Sequence, residues 1–459
     1  MNLTQKYMNQ MQKDNSPAQQ DKNPTQEYNN LIPQQAGLIK ELTWRGMIQD
    51  IMPGTEEHLA KGMTTGYIGF DPTADSLHIG SLVPILLLVH LQKAGHKPIA
   101  LVGGATGMVG DPSGKSEERN LLSEDLLAHN LAGVKKQLEQ YLDFDPSRPN
   151  AAEMANNYDW FREMSFLTFI RDIGKHITVN YMSAKDSVKK RLEGDNGMSF
   201  TEFTYQLVQG YDFYWLYTHK NCSLQMGGSD QWGNITTGTE LIRRKSGGTA
   251  FAFTCPLITK ADGGKFGKTE KGNIWLSAEK TPPFQFYQFW LNATDADAEK
   301  WIRIFTFLDQ PTIETLITRH REQPEGRHLQ KTLAREITSF VHGEEEYKKA
   351  VATTEKIFAD QSAAAESLTE QDLESMEGVK IDYAAEKLAA GTDIVTFLAE
   401  TGILPSKGEA RKLVQGGGVS INRKKVDSLQ LILDKGILLH GKYLMVQKGK
   451  RNFYLVRVI

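Results

Sequence analysis

One stretch decides the fold of this chain: TGYIGFDPTADSLHIGSLVPILLLVHLQKAGHKPIALVGG, residues 65–104. It begins with TGYIGF (65–70), a short apolar run that predicts a buried strand. The apolar segment SLVPILLLVHLQKAG (81–95) predicts a helix closed by Gly95, and KPIALVGG (97–104) predicts the next strand. Strand, crossover helix and strand form a βαβ unit, so this stretch predicts a parallel sheet of the α/β class.

A second succession of this kind follows later in the chain. SLQMGGSDQWGN (223–234) runs into the predicted helix ITTGTELIRRK (235–245), and FAFTCPLI (251–258) predicts another strand. A chain of 459 residues is too long for one compact domain. We therefore predict five segments: a flexible polar extension (1–37), an α/β domain with a parallel sheet (38–280), a helical domain (281–360), an Ala-, Glu- and Ser-rich linker (361–392) and a small α+β C-terminal domain (393–459).

The composition is that of a soluble globular protein, with 40% hydrophobic and 24% charged residues. The two cysteines, Cys222 and Cys255, have no metal-binding spacing and imply no disulfide framework, which suits a reducing cytosol. The sequence has no apolar run of about 18 residues and no apolar N-terminal segment, so we expect neither a membrane span nor a secretory signal. The prediction is a cytoplasmic protein without a metal site of its own.

Charge is distributed unevenly along the chain. The net charge is -3, yet residues 394–459 contain 12 Lys and Arg against 4 Asp and Glu, which leaves the rest of the chain at -11. A basic C-terminal module on an acidic body favours a polyanionic partner for that module, such as nucleic acid. The alternative interpretation is an ordinary solvated surface.

The segment YQLVQGYD (205–212) contains a polar stripe in an otherwise apolar helix. Tyr205, Gln209 and Asp212 have the spacing i, i+4 and i+7, which places them on one helical face. Buried polar groups need hydrogen-bond partners, or they cost stability. Those partners are either other protein groups or a ligand.

Two further motifs suggest phosphate binding. In DPTADSLHIGS (71–81), His78 and Gly80 stand where a loop enters a helix, and helix N-termini favour phosphates. Thr73 and His78 can donate hydrogen bonds to phosphate oxygens, and Gly80 allows a flat ring to approach the backbone. The alternative for His78 is a capping or packed residue.

Lysines supply the second motif. KFGKT holds Lys265 and Lys268 in a glycine-rich loop, and GDPSGKSEER (110–119) similarly contains Lys115 and Arg119. Ammonium groups on a hinged loop suit a polyphosphate whose charge grows as a bond breaks. The alternative is a solvent-exposed lysine loop.

Taken together, HIG on the first βα turn and KFGKT after a late strand resemble class I aminoacyl-tRNA synthetases. Longer strings resemble the bacterial tyrosyl-tRNA synthetases, from about residue 38 to the C-terminus. These strings are FDPTADSLHIG, ALVGGATGMVGDPSG, NNYDW, FIRDIGKH, SFTEFTYQLVQGYDF, QMGGSDQWGN and KADGGKFGKT. The resemblance implies a Rossmann-like nucleotide-binding catalytic domain, a helical domain and a C-terminal RNA-binding domain.

The resemblance also implies roles for individual residues. One set binds L-tyrosine: Tyr67 and Asp212 at the phenol hydroxyl, Tyr205, Gln209 and Asp111 at the ammonium group, and Gln231 beside the carboxylate. A second set serves ATP: Thr73 and His78 at the phosphates, Lys265 and Lys268 on a loop that closes over pyrophosphate, Asp230 at the ribose, and Asp71, Gly80, Ser81, Lys115 and Arg119 around the nucleotide. Ser81 replaces the second histidine of the family signature, and its hydroxyl has a shorter reach.

The activity implied by the resemblance has two steps. The tyrosine carboxylate attacks the ATP α-phosphate and releases pyrophosphate, with Mg²⁺ expected on the phosphates, and a ribose hydroxyl of tRNA then takes the tyrosyl group. The resemblance further implies a homodimer, in which helices around SFTEF pack across subunits. PSKGEARKLVQGGGVSINRKKV (405–426) resembles a small RNA-binding fold of ribosomal proteins, and the basic residues expected to bind tRNA are Arg411, Lys412, Arg423, Lys424, Lys425, Lys448, Lys450 and Arg451.

Three alternatives stay open at this point. A tryptophan-specific ligase would have no use for Asp212 opposite a phenol. A nucleotidyltransferase that shares the HxG turn would lack the KFGKT loop and the basic tail. A non-catalytic RNA-binding protein on the same fold would tolerate the loss of His78, Lys268 or Asp111, yet the sequence contains all three.

Overall fold

A computed structural model describes most of the chain after residue 36. The described residues are 37–113, 122–193, 197–264, 266–269, 272–358, 365, 368–370, 373, 380–389, 391–449 and 452–459. The predicted flexible extension (1–37) lies almost wholly outside them. The chain divides into two compact units, one containing residues up to 277 and residues 293–337, the other containing residues 278–292 and residues from 338 onward.

Fifteen strands lie in the described residues. They are β1 (Asp50–Ile51), β2 (Thr65–Phe70), β3 (Lys97–Val102), β4 (Glu153–Asn156), β5 (Cys222–Gly228), β6 (Phe251–Cys255), β7 (Lys268–Thr269), β8 (Gly272–Asn273), β9 (Lys380–Tyr383), β10 (Thr392–Asp393), β11 (Val419–Ile421), β12 (Lys424–Lys425), β13 (Ile432–Leu433), β14 (Tyr443–Lys448) and β15 (Asn452–Val458).

The α-helices of the described residues divide between the two units. The first unit contains α1 (Leu38–Trp44), α2 (Thr55–Leu59), α3 (Leu82–Lys93), α4 (Thr106–Val109), α5 (Glu124–Tyr141), α6 (Tyr158–Phe161), α7 (Phe166–Asp172), α8 (Val179–Ser183), α9 (Asp186–Leu192), α10 (Phe200–Lys220) and α11 (Trp232–Ser246). It also contains α13 (Asp295–Phe305) and α14 (Gln310–Glu322), and α15 (His328–His342) crosses the division at residue 337. The second unit contains α12 (Pro283–Leu291), α16 (Glu344–Phe358), α17 (Ala385–Ala389), α18 (Ile394–Glu400) and α19 (Lys407–Gln415).

A six-stranded sheet organises the first unit. Its order is β1-β6-β5-β2-β3-β4, and every neighbouring pair is parallel except β1 with β6. Strands β2 and β3 are buried along nearly their whole length, and helix α3 between them is buried on almost every side. Such burial explains why both strands are continuous apolar runs. The βαβ prediction for residues 65–104 is therefore confirmed.

The strand order reverses direction between β2 and β5. From β2 the chain proceeds to β3 and β4 on one side, and from β5 it proceeds to β6 on the other. In an open parallel sheet, ligands bind in the crevice outside the carboxyl ends of the strands at such a switch point. Helix α10 precedes β5 and begins with a capping box, in which Ser199 and Glu202 bond each other's backbone N–H groups.

The second unit contains a five-stranded sheet of order β12-β11-β14-β15-β9. Strands β14 and β15 form the C-terminal hairpin that the sequence predicts, and β9 pairs with β15 in parallel. Helices α18 and α19 pack over a core that includes Phe397, Val414 and Leu444. Strand β9 lies inside the segment predicted as a linker, while the five domain boundaries stay a prediction.

Helices α12 and α16 belong to the same unit and pack together. The rings of Tyr287 and Tyr347 lie 5.8 Å apart, and the Gln288 amide donates a 2.7 Å hydrogen bond to Thr354. Among the residues that the structure describes, no helix has both the length and the apolar character needed to cross a membrane.

Candidate active site

One end of the candidate site at the switch point centres on Asp212, a carboxyl group in a residue that is only 1% exposed. Asn157 donates a 3.1 Å hydrogen bond to one carboxylate oxygen, and the indole N–H of Trp160 donates a 2.9 Å bond to the other. Burial raises the pKa of Asp212 to about 8, although these two donors oppose the shift. Burial therefore disfavours the charged form of this carboxyl.

The hydroxyl of Tyr67 belongs to the same end. Tyr67 lies on β2 with 1% exposure, and burial, followed by the nearby Asp212 charge, raises its pKa well above the ordinary value. Within the described residues, three buried polar atoms have no hydrogen-bond partner in this region: the Tyr67 hydroxyl, Gln209 Oε1 and Gln225 Oε1. Gln225 stands beside Tyr67 in the β2–β5 register. Orphaned polar atoms at one crevice indicate a place for a polar ligand.

The other end of the pocket contains a second buried tyrosine. The Tyr205 hydroxyl donates a 2.8 Å hydrogen bond to Asp71 Oδ2, and Thr106 donates a 2.7 Å bond to Asp71 Oδ1. Burial is the largest cause of the raised Tyr205 pKa, and the charges of Asp71, Asp111 and Asp212 raise it further. The nearest of these, Asp71 and Asp111, thus create a negative field at this tyrosine, which suits a cationic ligand group.

Asn157 connects the two ends. Its side-chain amide N–H₂ donates to Thr106 Oγ1 at 3.0 Å as well as to Asp212, and its carbonyl oxygen accepts the Ala105 backbone N–H at 2.6 Å. The tight turn after β3 has no room for a side chain at Gly103, because a Cβ there would collide with Asp71 and Thr106. The hydrogen bonds of Asn157 therefore connect the loop after β3, the turn after β4 and helix α10.

A further polar cluster lies after β5 and α4. The Gln231 amide donates to Asp111 at 2.7 Å and to Asp230 at 3.2 Å. Asn234, one helical turn later on α11, donates to Gln231 Oε1 at 3.2 Å. The backbone N–H of Ser113 donates to Asp111 at 2.9 Å. These contacts bring Asp111, Gln231 and Asp230 together, as the resemblance implies.

The HIG turn lies at the start of α3. The His78 side chain accepts the Gly80 N–H at 3.0 Å through Nδ1, so the neutral ring carries its proton on Nε2. Thr73 and Gly80 are exposed, and Ser81 closes the same turn. His78 is thus a capping residue of this turn, as the alternative interpretation proposes.

The second lysine motif is adjacent to that turn. Ile79 N–H donates to Ile274 O at 2.9 Å, and Ile274 N–H donates to Gly267 O at 3.2 Å. Gly267 has φ +80° and packs so closely on Ile79 that a Cβ there would lie 2.9 Å from its side chain. The structure places the backbone of Lys268 in β7, while Lys265, Lys115 and Arg119 lie outside the described residues.

Comparisons with known proteins agree with this geometry. The family model for tRNA synthetases class I (W and Y) matches residues 60–359, and the model for the SYY-like C-terminal domain of tyrosine–tRNA ligases matches residues 372–456. The chain belongs to the class I tRNA synthetases (W and Y). The helical content and the parallel sheet confirm the α/β fold class predicted from the sequence.

Individual relatives cover almost the whole chain. It is 58% identical to the tyrosine–tRNA ligase of Bacteroides thetaiotaomicron, over 91% of this chain and 99% of that one. Identity to the tyrosine–tRNA ligase of Porphyromonas gingivalis is 60%, over 92% and 99%. Among solved structures, the C-terminally truncated mitochondrial tyrosyl-tRNA synthetase of Aspergillus nidulans aligns with a TM-score of 0.62 at 28% identity, over 73% of this chain and 99% of that one.

Sequence reasoning missed several polar residues of this synthetase site. Asn157, Trp160 and Thr106 follow the carboxyl ends of parallel strands, while Gln225 lies in the middle of β5. The position after a strand was the signal that could have found the first three, because parallel strands end at a common edge of the sheet.

The basic residues of the C-terminal domain occupy two of its elements and their neighbourhood. Arg411 and Lys412 are exposed on α19, and Lys424 and Lys425 are exposed on β12. Lys448 ends β14 opposite Val419, and the backbone of Arg423 has φ +65°. Lys450 and Arg451 lie outside the described residues.

Proposed function

We propose that this chain is a tyrosine–tRNA ligase, which activates L-tyrosine with ATP and transfers the tyrosyl group to the 3′ end of its tRNA. The observation that supports this proposal is the polarity of the pocket. One end offers the buried Asp212 carboxyl beside the Tyr67 hydroxyl, which has no partner among the described residues, and the other end has the carboxylates Asp71 and Asp111 near Tyr205. An amino acid with a phenol at one pole and an ammonium group at the other matches both ends.

At the first end, Tyr67 and Asp212 bind the substrate phenol. The phenol hydroxyl donates to the Asp212 carboxylate and accepts from the Tyr67 hydroxyl, which has no partner among the described residues. Phenylalanine would leave the Tyr67 hydroxyl buried and unpaired and would offer Asp212 no hydroxyl donor, a rejection for which tyrosine-specific synthetases are the established example. This end therefore determines which aromatic side chain is accepted.

At the second end, Tyr205, Gln209 and Asp111 hold the ammonium group, and Gln231 lies beside the carboxylate. The oxygen of Gln209 is buried without a partner among the described residues, as expected of an acceptor that awaits an N–H donor. Asp71, predicted from the resemblance to serve ATP, is fixed by Thr106 and Tyr205 and adds negative charge at this end. The substrate carboxylate, already ionised, then needs no general base.

On the nucleotide side, Thr73 and His78 face the ATP phosphates, Gly80 lets the nucleotide approach, and Asp230 holds the ribose. Lys265 and Lys268 stabilise the departing pyrophosphate, with Ser81, Lys115 and Arg119 completing the set. Mg²⁺ enters with ATP and neutralises phosphate charge. Catalysis in this proposal comes from positioning and charge stabilisation.

Exchange of labelled pyrophosphate into ATP, measured with each of the twenty amino acids in turn, tests the proposal. Exchange should depend on tyrosine. Exchange that depends on tryptophan instead would assign the chain to the other specificity of its family, and no exchange with any amino acid would favour a non-catalytic protein.

The exposed basic residues Arg411, Lys412, Lys424 and Lys425 support binding of the tRNA backbone through phosphate contacts. In the full chain, replacing Arg411 and Lys412 together by Glu should lower tRNA charging several-fold and leave tyrosine-dependent exchange unchanged. Lys435→Glu, an exposed change elsewhere in the same domain, is the matched control. Equal charging by all three proteins would remove α19 from the tRNA surface.

An apolar surface supports a homodimer. Leu167 is 77% exposed and Phe166 is 64% exposed on α7, with Val179 and Phe200 comparably exposed on neighbouring elements. Monomeric proteins rarely leave such a patch in water. Leu167→Asp should therefore convert a dimer into a monomer in light scattering, whereas Met63→Asp, at another exposed apolar position, should not. Two buried free thiols suit the proposed cytoplasmic location.

A further inference from the structure

Helix α5 contacts the loop that carries Thr73 and His78 along one helical face. Asn130 donates a 3.1 Å hydrogen bond from its amide to the carbonyl oxygen of Pro72. Gln137 stands seven residues later, and positions i and i+7 share a helical face. The helix therefore touches both ends of the segment between Pro72 and Leu77.

Gln137 is buried and uses both halves of its side-chain amide on that loop. Its oxygen accepts the backbone N–H of Leu77 at 2.7 Å, and its nitrogen donates to Ser76 Oγ at 3.0 Å. Leu77 immediately precedes His78. A glutamine in this geometry fixes the direction of the peptide that leads into the HIG turn.

Ser76 extends the contact to the segment after the second signature loop. Its hydroxyl accepts the Ser277 N–H at 3.2 Å and donates to Leu77 O at 2.8 Å. Leu276 N–H also donates to Leu77 O at 2.8 Å. Hydrogen bonds through Ser76 and Gln137 thus join α5 to the segment before the HIG turn and to Ser277, which follows the KFGKT loop.

Between Asn130 and Gln137, Gly133 faces the same loop. A Cβ at this position would collide with the carbonyl oxygen of Asp75. The helix and the loop therefore approach each other more closely here than any side chain would permit, and the glycine sets the depth at which the loop lies.

We propose that Asn130, Gly133 and Gln137 are positioning residues that set where Thr73 and His78 stand relative to the ATP phosphates. This inference rests on the proposed function, because it takes ATP as the ligand of the HIG turn. A displacement of about 1 Å in a catalytic group can cost about 100-fold in rate. The tyrosine site has anchors of its own, since Asn157 and Trp160 fix Asp212, and Thr106 and Tyr205 hold the Asp71 carboxylate where the loop begins.

Two opposite perturbations test the proposal in the full chain. Gln137→Met keeps the side-chain length and removes both hydrogen bonds. Gly133→Ala keeps every hydrogen-bonding group, favours the helix by intrinsic propensity, and pushes the loop away. The matched control is Gln92→Met, because the Gln92 amide likewise bonds a loop, at the Asp143 N–H and O and at Asn150 O.

Pyrophosphate exchange separates positioning from general stability when KM is measured for each substrate. We expect kcat/KM for ATP to fall at least tenfold in Gln137→Met and Gly133→Ala, with KM for tyrosine within twofold of the parent. Gln92→Met should lower the melting temperature without changing either KM. This split distinguishes a misplaced phosphate-binding loop from a loss of folded protein.

Wild-type ATP kinetics in a folded Gln137→Met or Gly133→Ala protein would overturn the proposal, as would parallel losses for ATP and tyrosine that Gln92→Met reproduces. If Gln137→Met does not fold, Gly133→Ala decides alone. Calorimetric titration of the same proteins with ATP gives an independent answer. A parent protein that binds ATP but exchanges with no amino acid would refute the proposed function, while weaker ATP binding in the variants would still support the positioning role.

Discussion

Two buried tyrosines mark the two ends of the pocket, and they differ in one respect. Tyr205 donates its hydroxyl to Asp71 at 2.8 Å, whereas the Tyr67 hydroxyl has no partner among the described residues. Both side chains are less than 5% exposed. At one end the protein satisfies its own polar group, and at the other it leaves the group to a ligand.

The difference indicates that the Tyr205 hydroxyl stabilises the protein, whereas the Tyr67 hydroxyl is available to select the ligand. A buried polar group without a partner costs about 1–3 kcal/mol, which a ligand with the right hydrogen-bonding group recovers. The end with Tyr205 is already hydrogen-bonded to Asp71, so under the proposed function little ordering is needed to bind the ammonium group. At the end with Tyr67, only a ligand with a hydrogen-bonding group such as a hydroxyl satisfies the buried Tyr67 hydroxyl. Tyrosine and phenylalanine differ in that hydroxyl.

The largest effect should come from Asp212→Ala. The substitution removes the proposed acceptor of the phenol hydroxyl and the partner of two buried donors, losses of about 1–3 kcal/mol each, so kcat/KM for tyrosine should fall by about 10³ in the exchange assay. Folding should change far less, because Asp212 is costly to bury in the empty pocket. Near-parent exchange by a folded Asp212→Ala protein would remove this residue from the site and dissolve the contrast between the two ends.

Paired hydroxyl deletions sharpen the comparison directly. Tyr205→Phe leaves Asp71 without one of its donors, so the free energy of unfolding should fall by about 1–3 kcal/mol in denaturant titration. Tyr67→Phe removes a hydroxyl that bonds nothing in the described protein, so stability should hold while kcat/KM for tyrosine falls about tenfold. The reverse pattern would show that Tyr67 is the structural residue and Tyr205 the reader of the ligand.

The pH dependence of stability should show a smaller effect. Burial raises the pKa of Asp212 from 3.8 to about 8. Between these values the folded ligand-free protein holds a proton that the unfolded chain releases, so this group's contribution falls as pH rises, by up to about 1.4 kcal/mol per pH unit. Denaturant titrations from pH 5 to pH 8 should give a shallower decline for Asp212→Asn than for the parent. Identical slopes would contradict the assigned pKa.

The parts of the fold that depend on local pattern were predictable from sequence. Strands β2 and β3 are apolar runs separated by an apolar helix, and parallel sheets buried on both faces require such runs. The parallel pairing of β9 with β15 was not predictable, because no local signal in Lys380–Tyr383 indicates a partner some 70 residues away. Long-range pairing depends on the whole topology and not on nearby residues.

The site shows the same division. The polar face of α10 was predictable, because Tyr205, Gln209 and Asp212 follow one another at helical spacing in the sequence. Asn157 and Trp160 escaped notice because β4, which presents them, is a short strand of Glu, Met, Ala and Asn without a strong β pattern. Their role depends on where β4 ends relative to α10, and only the assembled sheet determines that.

The side-chain amide of Asn157 bonds the Asp212 carboxyl directly and also bonds Thr106, which holds the Asp71 carboxylate. A redesign of the Asp212 end to accept an amino acid without a phenol would therefore also change the contacts at the Tyr205 end. A substitution of Asn157 that removes its hydrogen bond to Asp212 also removes its hydrogen bond to Thr106. Thr106 in turn holds Asp71, the carboxylate at the end proposed for the substrate nitrogen. New specificity would have to be built as a matched pair of changes, one at each pole.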